Sequence, residues 1–330
     1  MKGKIPDYYE QFSCIGSRCR DNCCIGWEID IDQEALNFYR RTKGDMAERL
    51  AEGISMEPVP HFRTDERGRC VFLNQENLCD LYLNLGEETL CEICTNHPRF
   101  FHDCGGIQEK GLGIACEEAA RLILNRTGMV RFLDYGPSSC DEIVSFLLSV
   151  RENMINILQN RSIKIEKRMA QILEYGWQAQ QWLNSSQPVS KDWIFSEEKE
   201  RFLTLSSDES RKFWLSFYED LDVMDEQWSK ILHEAKLRSE GASFAEDPFW
   251  EQLCIYFMFR HLTAASEDFN LYGKVQFCVL SCLIIGWILD IYPEKEQDKK
   301  RLETAKQYSK EIEYSEENLQ TVWEELLFNS

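Results

Sequence analysis

Cysteine is the residue type with the greatest capacity for chemistry in this sequence. The chain has 14 cysteines, and eleven of them lie in the first 140 residues. Thiolates bind zinc or the iron of iron–sulfur clusters, and thiols also pair as disulfides. These eleven are Cys14, Cys19, Cys23, Cys24, Cys70, Cys79, Cys91, Cys94, Cys104, Cys116 and Cys140. So dense a set predicts ligation or cross-linking in the amino-terminal region.

The spacing of the cysteines disfavours an ordinary zinc ribbon. Only Cys91 and Cys94 have the two-residue gap of a zinc knuckle, and no second pair matches them. The adjacent Cys23 and Cys24 cannot easily face one tetrahedral ion, whereas two clusters, or a cluster and a neighbouring thiol, can use both. Iron–sulfur ligation by four thiolates therefore fits the pattern, with zinc as the alternative.

Not every cysteine is expected to be a ligand, because a free cysteine is often a small buried apolar side chain. We expect ligation or cross-linking for Cys19, Cys23, Cys24, Cys70, Cys79, Cys94 and Cys116. For Cys14 both interpretations stay open. We expect burial alone for Cys254, Cys278 and Cys282, and spectator roles for Cys91, Cys104 and Cys140. His97 and His102 could ligate a metal, but a structural hydrogen-bonding role is favoured.

The redox state of the cellular compartment decides whether the cysteines bind a metal or form disulfides. The first residues, from Met1 onward, contain no apolar stretch of the kind found in a secretory signal, so we expect a reducing cytosol. In that setting dense cysteines favour metal or iron–sulfur ligation. A disulfide-stapled domain is the alternative, and it would require an oxidising compartment.

The sequence has two parts with different patterns, and these patterns predict the elements that position the cysteines. Up to a turn-rich break at 135–141 the pattern is short and interrupted, with Asp32 as the N-cap of a helix over 33–42 and a loop over 53–69. After the break, apolar residues recur at helical spacing over 143–158. Further helices are predicted near 163–184, 196–204, 208–219, 222–238, 248–265, 271–291, 298–310 and 315–327.

The predicted fold class is mostly α. A cysteine-rich amino-terminal α+β region with short strands, residues 1–138, is expected to pack on an all-α carboxy-terminal region, residues 139–330. One apolar segment, Val275–Tyr292, is about as long as the shortest membrane span. Because it carries polar residues and stands alone, we expect a buried core helix, with membrane contact as the alternative.

Composition narrows the class of protein. With 43% hydrophobic residues the chain of 330 residues can bury a large core, which excludes a mainly disordered protein. Its 57 acidic and 37 basic side chains give a net charge of −20, which argues against nucleic-acid binding through phosphate neutralisation. A basic partner suits this charge better.

Five segments carry a resemblance to a known family. They are Phe12–Trp27 (FSCIGSRCRDNCCIGW), Gly68–Leu73 (GRCVFL), Asn77–Tyr82 (NLCDLY), Cys94–Arg99 (CTNHPR) and Ala115–Arg121 (ACEEAAR). In order and spacing they resemble the flagellin lysine N-methylase family. A weaker similarity extends to small cysteine-rich proteins described as zinc- or iron-chelating.

The resemblance implies an enzyme, a protein-lysine N-methyltransferase. It implies transfer of a methyl group from S-adenosylmethionine to lysine ε-amines of flagellin in the bacterial cytosol, with a cysteine motif associated with an iron–sulfur cluster. The cysteines that match are Cys14, Cys19, Cys23, Cys24, Cys70, Cys79, Cys94 and Cys116.

The residues themselves neither supply nor exclude this activity. No glycine-rich loop after a first strand is present, so any S-adenosylmethionine site is nonstandard, and no catalytic base is recognisable. The three-cysteine spacing of radical enzymes that use this cofactor is also absent. A noncatalytic metal-binding or redox-sensing interaction protein is therefore the main alternative.

Overall fold

The structure, a computed structural model, describes residues 1–188, 198–238, 244 and 248–328. The chain divides into two units. The helical unit comprises Met1–Gln11, Phe101–Ala115 and Ala120–Ser330, and the cysteine-rich unit comprises Phe12–Phe100 and Cys116–Ala119.

Short strands precede the long helices along the described part of the chain. The strands are β1 (Gly3–Pro6), β2 (Ile29–Asp30), β3 (Ile54–Ser55), β4 (His61–Phe62), β5 (Arg99–Cys104), β6 (Ile107–Leu112) and β7 (Phe132–Tyr135). The helices are α1 (Gln33–Tyr39), α2 (Asp45–Gly53), α3 (Asp80–Leu85), α4 (Glu92–Asn96), α5 (Glu117–Leu124), α6 (Glu142–Leu158), α7 (Ile165–Asn184), α8 (Glu198–Ser206), α9 (Asp208–Glu219), α10 (Glu226–Lys236), α11 (Pro248–His261), α12 (Ala265–Asp268), α13 (Leu271–Leu289), α14 (Glu294–Tyr308) and α15 (Glu316–Phe328).

The cysteine-rich unit is built from short elements around a small apolar core. Its antiparallel sheet has the order β2-β4-β3, and each strand contributes two residues. The segment 53–69, predicted as loop, thus supplies β3 and β4, which are too short to show a period in the sequence. The rings of Phe62 and Phe72 meet edge to face, with centroids 5.2 Å apart, in the core of this unit.

The helical unit is organised around α13. All nineteen residues of α13 are buried, and α7, α11, α14 and α15 pack against it. By length and composition α13 could cross a membrane, but its apolar window is entirely buried inside the protein. A helix that is apolar on every side needs neighbours on every side, and α13 has them, as expected of a core helix.

The predicted fold class is confirmed. No strand lies in the described residues of 141–330, and the helices follow the predicted segments with shifted ends. For example, α14 begins at Glu294, directly after Pro293, and continues into a π-helical turn at Ser309–Glu313. The helix predicted over 33–42 ends at Tyr39. The start of the one predicted at 196–204 lies outside the described residues.

The division into units does not follow the border expected between residues 138 and 139. Residues 1–11 and 120–138 cluster with the helical unit, because β1 pairs with β7 and places Gly3 opposite Tyr135. A second link is an ion pair between β6 and α6: Arg151 donates to both carboxylate oxygens of Glu109 at 2.6 Å. Both side chains are almost fully buried.

This ion pair generates a stability prediction. Glu109→Gln keeps the shape of the side chain but leaves the buried Arg151 guanidinium without a counter-charge, so the free energy of unfolding should fall by about 3–5 kcal/mol. Denaturant unfolding followed by circular dichroism measures the change. The control is Asp134→Asn in the exposed Lys4–Asp134 pair, which should cost less than about 1 kcal/mol. Equal losses in the two variants would contradict the assignment.

Candidate functional site

Five cysteines come together in the core of the cysteine-rich unit, and we call them the inner thiol group. Two are buried there and three are partly buried against the same apolar cluster. The Cys70 backbone N–H donates to the Cys24 carbonyl at 2.8 Å, which ties two distant stretches of chain together. The members of the group are Cys24, Cys70, Cys79, Cys91 and Cys94.

The thiols of the inner group interact with one another. A hydrogen bond from Cys94 lowers the pKa of Cys91, whereas the same bond and then burial raise the pKa of Cys94. A hydrogen bond with Cys23, then burial, raises the pKa of Cys24. Burial raises the pKa of Cys70 to about 11. The group therefore consists of neighbouring thiols in a site that disfavours several negative charges at once.

Three further cysteines, Cys19, Cys23 and Cys116, form what we call the outer thiol group. Burial raises the pKa of Cys116 to about 11, with further contributions from Cys23 and Cys19. The Cys19 Sγ lies 3.7 Å from Glu117 Oε2, and Arg20 donates its backbone N–H and its Nε–H to the same carboxylate. The start of α5 thus fixes the position of the Cys19 loop.

The remaining cysteines lie elsewhere. Cys14 is exposed, and its Sγ accepts from the Gly16 backbone N–H at 3.4 Å. Cys104 and Cys140 pack beside α6 in the helical unit, and the three carboxy-terminal cysteines, Cys254, Cys278 and Cys282, are fully buried in its core, as expected. None of the fourteen cysteines, all of them described, forms a disulfide.

Within the described ranges, no set of three or more His, Cys, Asp or Glu side chains has the arrangement of a metal site. His97 belongs to the cysteine-rich unit and His102 to the helical unit, where burial lowers the pKa of His102. The donor type suits an iron–sulfur cluster, since such clusters are held by cysteine thiolates. Ligation by the predicted cysteines stays a prediction.

Asp32 connects the sheet region of the cysteine-rich unit to the inner thiol group. Its Oδ1 caps α1 by accepting from the backbone N–H groups of Glu34 and Ala35, at 3.0 and 2.9 Å. Its Oδ2 accepts from the Glu92 backbone N–H at 2.8 Å, at the start of α4. One carboxylate therefore caps two helices and holds the Cys91–Cys94 turn in place.

Removal of this double cap gives a second prediction. Asp32→Ala loses two caps worth about 1 kcal/mol each, so the free energy of unfolding should fall by about 2 kcal/mol. Urea unfolding of the full chain measures the loss. Asp30→Ala, an exposed position two residues away with no cap to lose, should change stability by less than about 0.5 kcal/mol. A loss as large in Asp30→Ala as in Asp32→Ala would show that capping is not the cause.

The helical unit holds an open cleft of about 1110 Å³, which we call the helical cleft. It lies between α7, α8, α9, the start of α13 and the end of α15. Three of its aromatic side chains, Trp177, Phe213 and Phe269, are exposed. A cleft of this size accommodates a small molecule or a few residues of a peptide. No motif predicted it, because its lining comes from segments far apart in sequence.

The helical unit also contains a buried polar cluster around Glu313, which lies in the π-helical turn. His261 Nε2 lies 2.6 Å from Glu313 Oε1, and the Tyr256 hydroxyl donates to the same carboxylate at 3.0 Å. Burial opposes ionisation of Glu313, but Arg260 and then His261 outweigh it and lower its pKa. Burial lowers the pKa of His261. These side chains therefore serve as hydrogen-bond and charge partners for one another within the core.

The comparison with protein families identifies the chain. Residues 151–330 match the model of the FliB lysine N-methylase C-terminal domain, which is more than half of the sequence. The chain belongs to the FliB lysine N-methylase family. The helical cleft lies entirely within the matched residues. The resemblance read from the amino-terminal cysteine motifs is thereby confirmed at the level of the family.

Individual relatives match shorter stretches. The chain is 30% identical over 127 residues to the Lysine-N-methylase of Salmonella typhimurium strain LT2, which covers 36% of this chain and 32% of that protein. The Lysine-N-methylase of Salmonella choleraesuis gives the same figures. The Flagellar biosynthetic protein FliU of Salmonella muenchen is 29% identical over 127 residues, 36% of this chain and 75% of that protein. The chain thus matches about a third of the two methylases. No solved structure matches it.

Cys91 is the member of the inner thiol group that the sequence prediction leaves out. Its expected role is that of a spectator, yet it is fully buried within the group and hydrogen-bonded to Cys94. The two-residue gap between Cys91 and Cys94 is a usable signal, since that gap lets two thiols converge across one helical turn.

Proposed function

We propose that this protein methylates lysine side chains of flagellin, with S-adenosylmethionine as the methyl donor. The observation that carries the proposal is the match of residues 151–330 to the lysine N-methylase family. The name of the FliU relative adds a flagellar context. The reaction transfers the methyl group from the sulfonium sulfur to the lysine nitrogen, leaves S-adenosylhomocysteine, and releases one proton from the amine.

We further propose that the cysteine-rich unit holds an iron–sulfur cluster. Thiols of the inner and outer groups would supply the ligands, because eight sulfur atoms gather there from sequence positions as far apart as Cys19 and Cys116. When bound, such a cluster would supply an iron position that anchors the amino and carboxylate groups of the methyl donor. Cys14, which the resemblance includes, is exposed and lies outside both groups.

The chain must also produce a neutral lysine amine. A lysine with its ordinary pKa near 10.4 costs about 4.6 kcal/mol to deprotonate at pH 7. Removal of the ammonium from water lowers that pKa, as burial does for the protein's own Lys274. A partly enclosed aromatic surface is therefore the kind of site that would favour the reactive amine.

The charge of the protein suits a lysine-bearing partner. A net charge of −20 attracts basic segments during encounter and repels nucleic acid. A cytoplasmic location follows from the proposal, because a flagellar subunit would meet the enzyme before export. The buried state of α13 agrees with this, since its apolar window leaves no surface for lipid.

Mass spectrometry tests the activity. Flagellin incubated with S-adenosylmethionine and the anaerobically reconstituted full chain should gain about 14 Da for each methyl group. Cys94→Ser should lose both iron and methylation, because a hydroxyl replaces a soft ligand at almost unchanged volume. Cys140→Ser is the matched control, since Cys140 is also partly buried but lies in the helical unit, and it should retain both.

Two outcomes would reject parts of the proposal. If the folded, reconstituted chain adds no methyl group to flagellin, the noncatalytic metal-binding or redox-sensing alternative is favoured. If Cys94→Ser methylates as well as the unmodified chain does, the cysteines have no part in the activity.

A further inference from the structure

The helical cleft is lined by three aromatic side chains that are exposed to solvent. Trp177, Phe213 and Phe269 are 37%, 43% and 59% exposed, and all three line the cleft. Scattered exposed apolar residues are ordinary on protein surfaces, but several rings around one concavity are typical of a binding site.

Phe269 is held in the cleft at a cost to the backbone. It follows α12 with φ +58°, a left-handed conformation that costs a residue with a side chain about 1–2 kcal/mol and is usually occupied by glycine or asparagine. Because its ring is largely exposed, packing does not offset this cost. Gln180 fixes the position by donating from Nε2 to the Phe269 carbonyl at 3.0 Å.

Gln276, which lines the cleft, carries a buried, unsatisfied acceptor. Its side chain lines the cleft, only 8% of the residue is exposed, and within the described parts of the chain its Oε1 has no hydrogen-bond partner. A buried carbonyl oxygen without a donor costs about 1–3 kcal/mol. An N–H donor from a ligand would remove that cost.

The charges around the cleft favour a cation. In the described lining the carboxylates are those of Glu200, Glu209 and Asp268, and the guanidinium is that of Arg201. Asp268 is already paired with Lys274 at 2.6 Å, which leaves the carboxylates of Glu200 and Glu209 to attract a ligand. Arg201 is already paired with Glu174 at 2.8 Å. Its guanidinium lies 4.3 Å from the Trp177 ring centroid, so this ring face already binds a cation within the protein.

We propose that the helical cleft binds a lysine-bearing segment of a protein substrate. The lysine chain would pack against the exposed rings. Its ammonium would be attracted by the faces of the Phe213 and Phe269 rings and by the carboxylates of Glu200 and Glu209, and the Gln276 Oε1 would accept a hydrogen bond from the segment. This inference rests on the proposed function only in its choice of lysine. S-adenosylmethionine is also a cation, but its carboxylate would need a free cationic partner, and Arg201 already has Glu174.

Calorimetric titration of the full chain with two peptides tests the cleft. One peptide has a single central lysine between serine and glycine residues, and the other has norleucine in its place. Norleucine keeps the apolar chain and removes the ammonium, so it should bind about ten-fold more weakly if the rings and carboxylates bind the charge.

Two variants locate the binding site without a loss of the fold. Phe269→Gly removes the ring and relieves the left-handed backbone, so lysine-peptide affinity should fall about five-fold while the melting temperature stays the same or rises. Gln276→Met removes the acceptor at similar volume and should also weaken binding. Leu237→Ala, at an exposed side chain outside the cleft lining, should change neither quantity.

Each of the other possible outcomes rejects either the cleft assignment or the proposed function. Equal affinity for the two peptides, or unchanged affinity in both cleft variants, rejects the cleft as a lysine site. If both variants instead lose binding of S-adenosylmethionine and keep that of the peptide, the cleft is a cofactor site and the inference is wrong. Methylation of flagellin by the unmodified chain is measured in parallel: its absence together with intact peptide binding rejects the proposed function and leaves the cleft assignment standing.

Discussion

The burial of α13 on all sides is the constraint on which the helical unit depends. A helix with no exposed face leaves no place for an unpaired polar group, so each polar side chain on it needs a partner. Lys274 has Asp268 at 2.6 Å and the Trp323 ring at 3.4 Å, and Ser281 meets the Tyr308 hydroxyl at 2.8 Å. Among the described residues, the Oε1 of Gln276, which borders the cleft, and the Nε1 of Trp287 are the polar atoms of α13 without a hydrogen-bond partner.

The cysteine-rich unit is stabilised in a different way from the helical unit. Its strands are two residues long and its helices have five to nine residues, so local structure contributes little stability. Caps and turns position its thiols instead, above all the Asp32 carboxylate that caps α1 and α4 together. Small units with limited apolar cores commonly depend on disulfides or metals. The proposed iron–sulfur cluster would supply such a cross-link in the core of this unit.

Much of the secondary structure was predictable where its signals are local. The apolar spacing over 143–158, the uninterrupted apolar segment of α13 and the Asp32 cap each depend on residues within a few positions of one another. The pairing of β1 with β7 and the Glu109–Arg151 ion pair depend on residues far apart in the chain, and no local pattern carries that information. The same reason explains the site: the cysteines were recognisable by type, whereas the cleft is assembled from separate helices and left no motif.

The proposed role of the inner and outer thiol groups depends on whether these thiols bind iron. Iron K-edge X-ray absorption on the anaerobically reconstituted full chain measures this directly, because it reports the atoms that surround the metal. The proposed cluster predicts sulfur neighbours around each iron and a second iron at short distance, with loss of that signal in Cys94→Ser. Iron surrounded by oxygen and nitrogen alone, or a folded chain that takes up no iron, would contradict it.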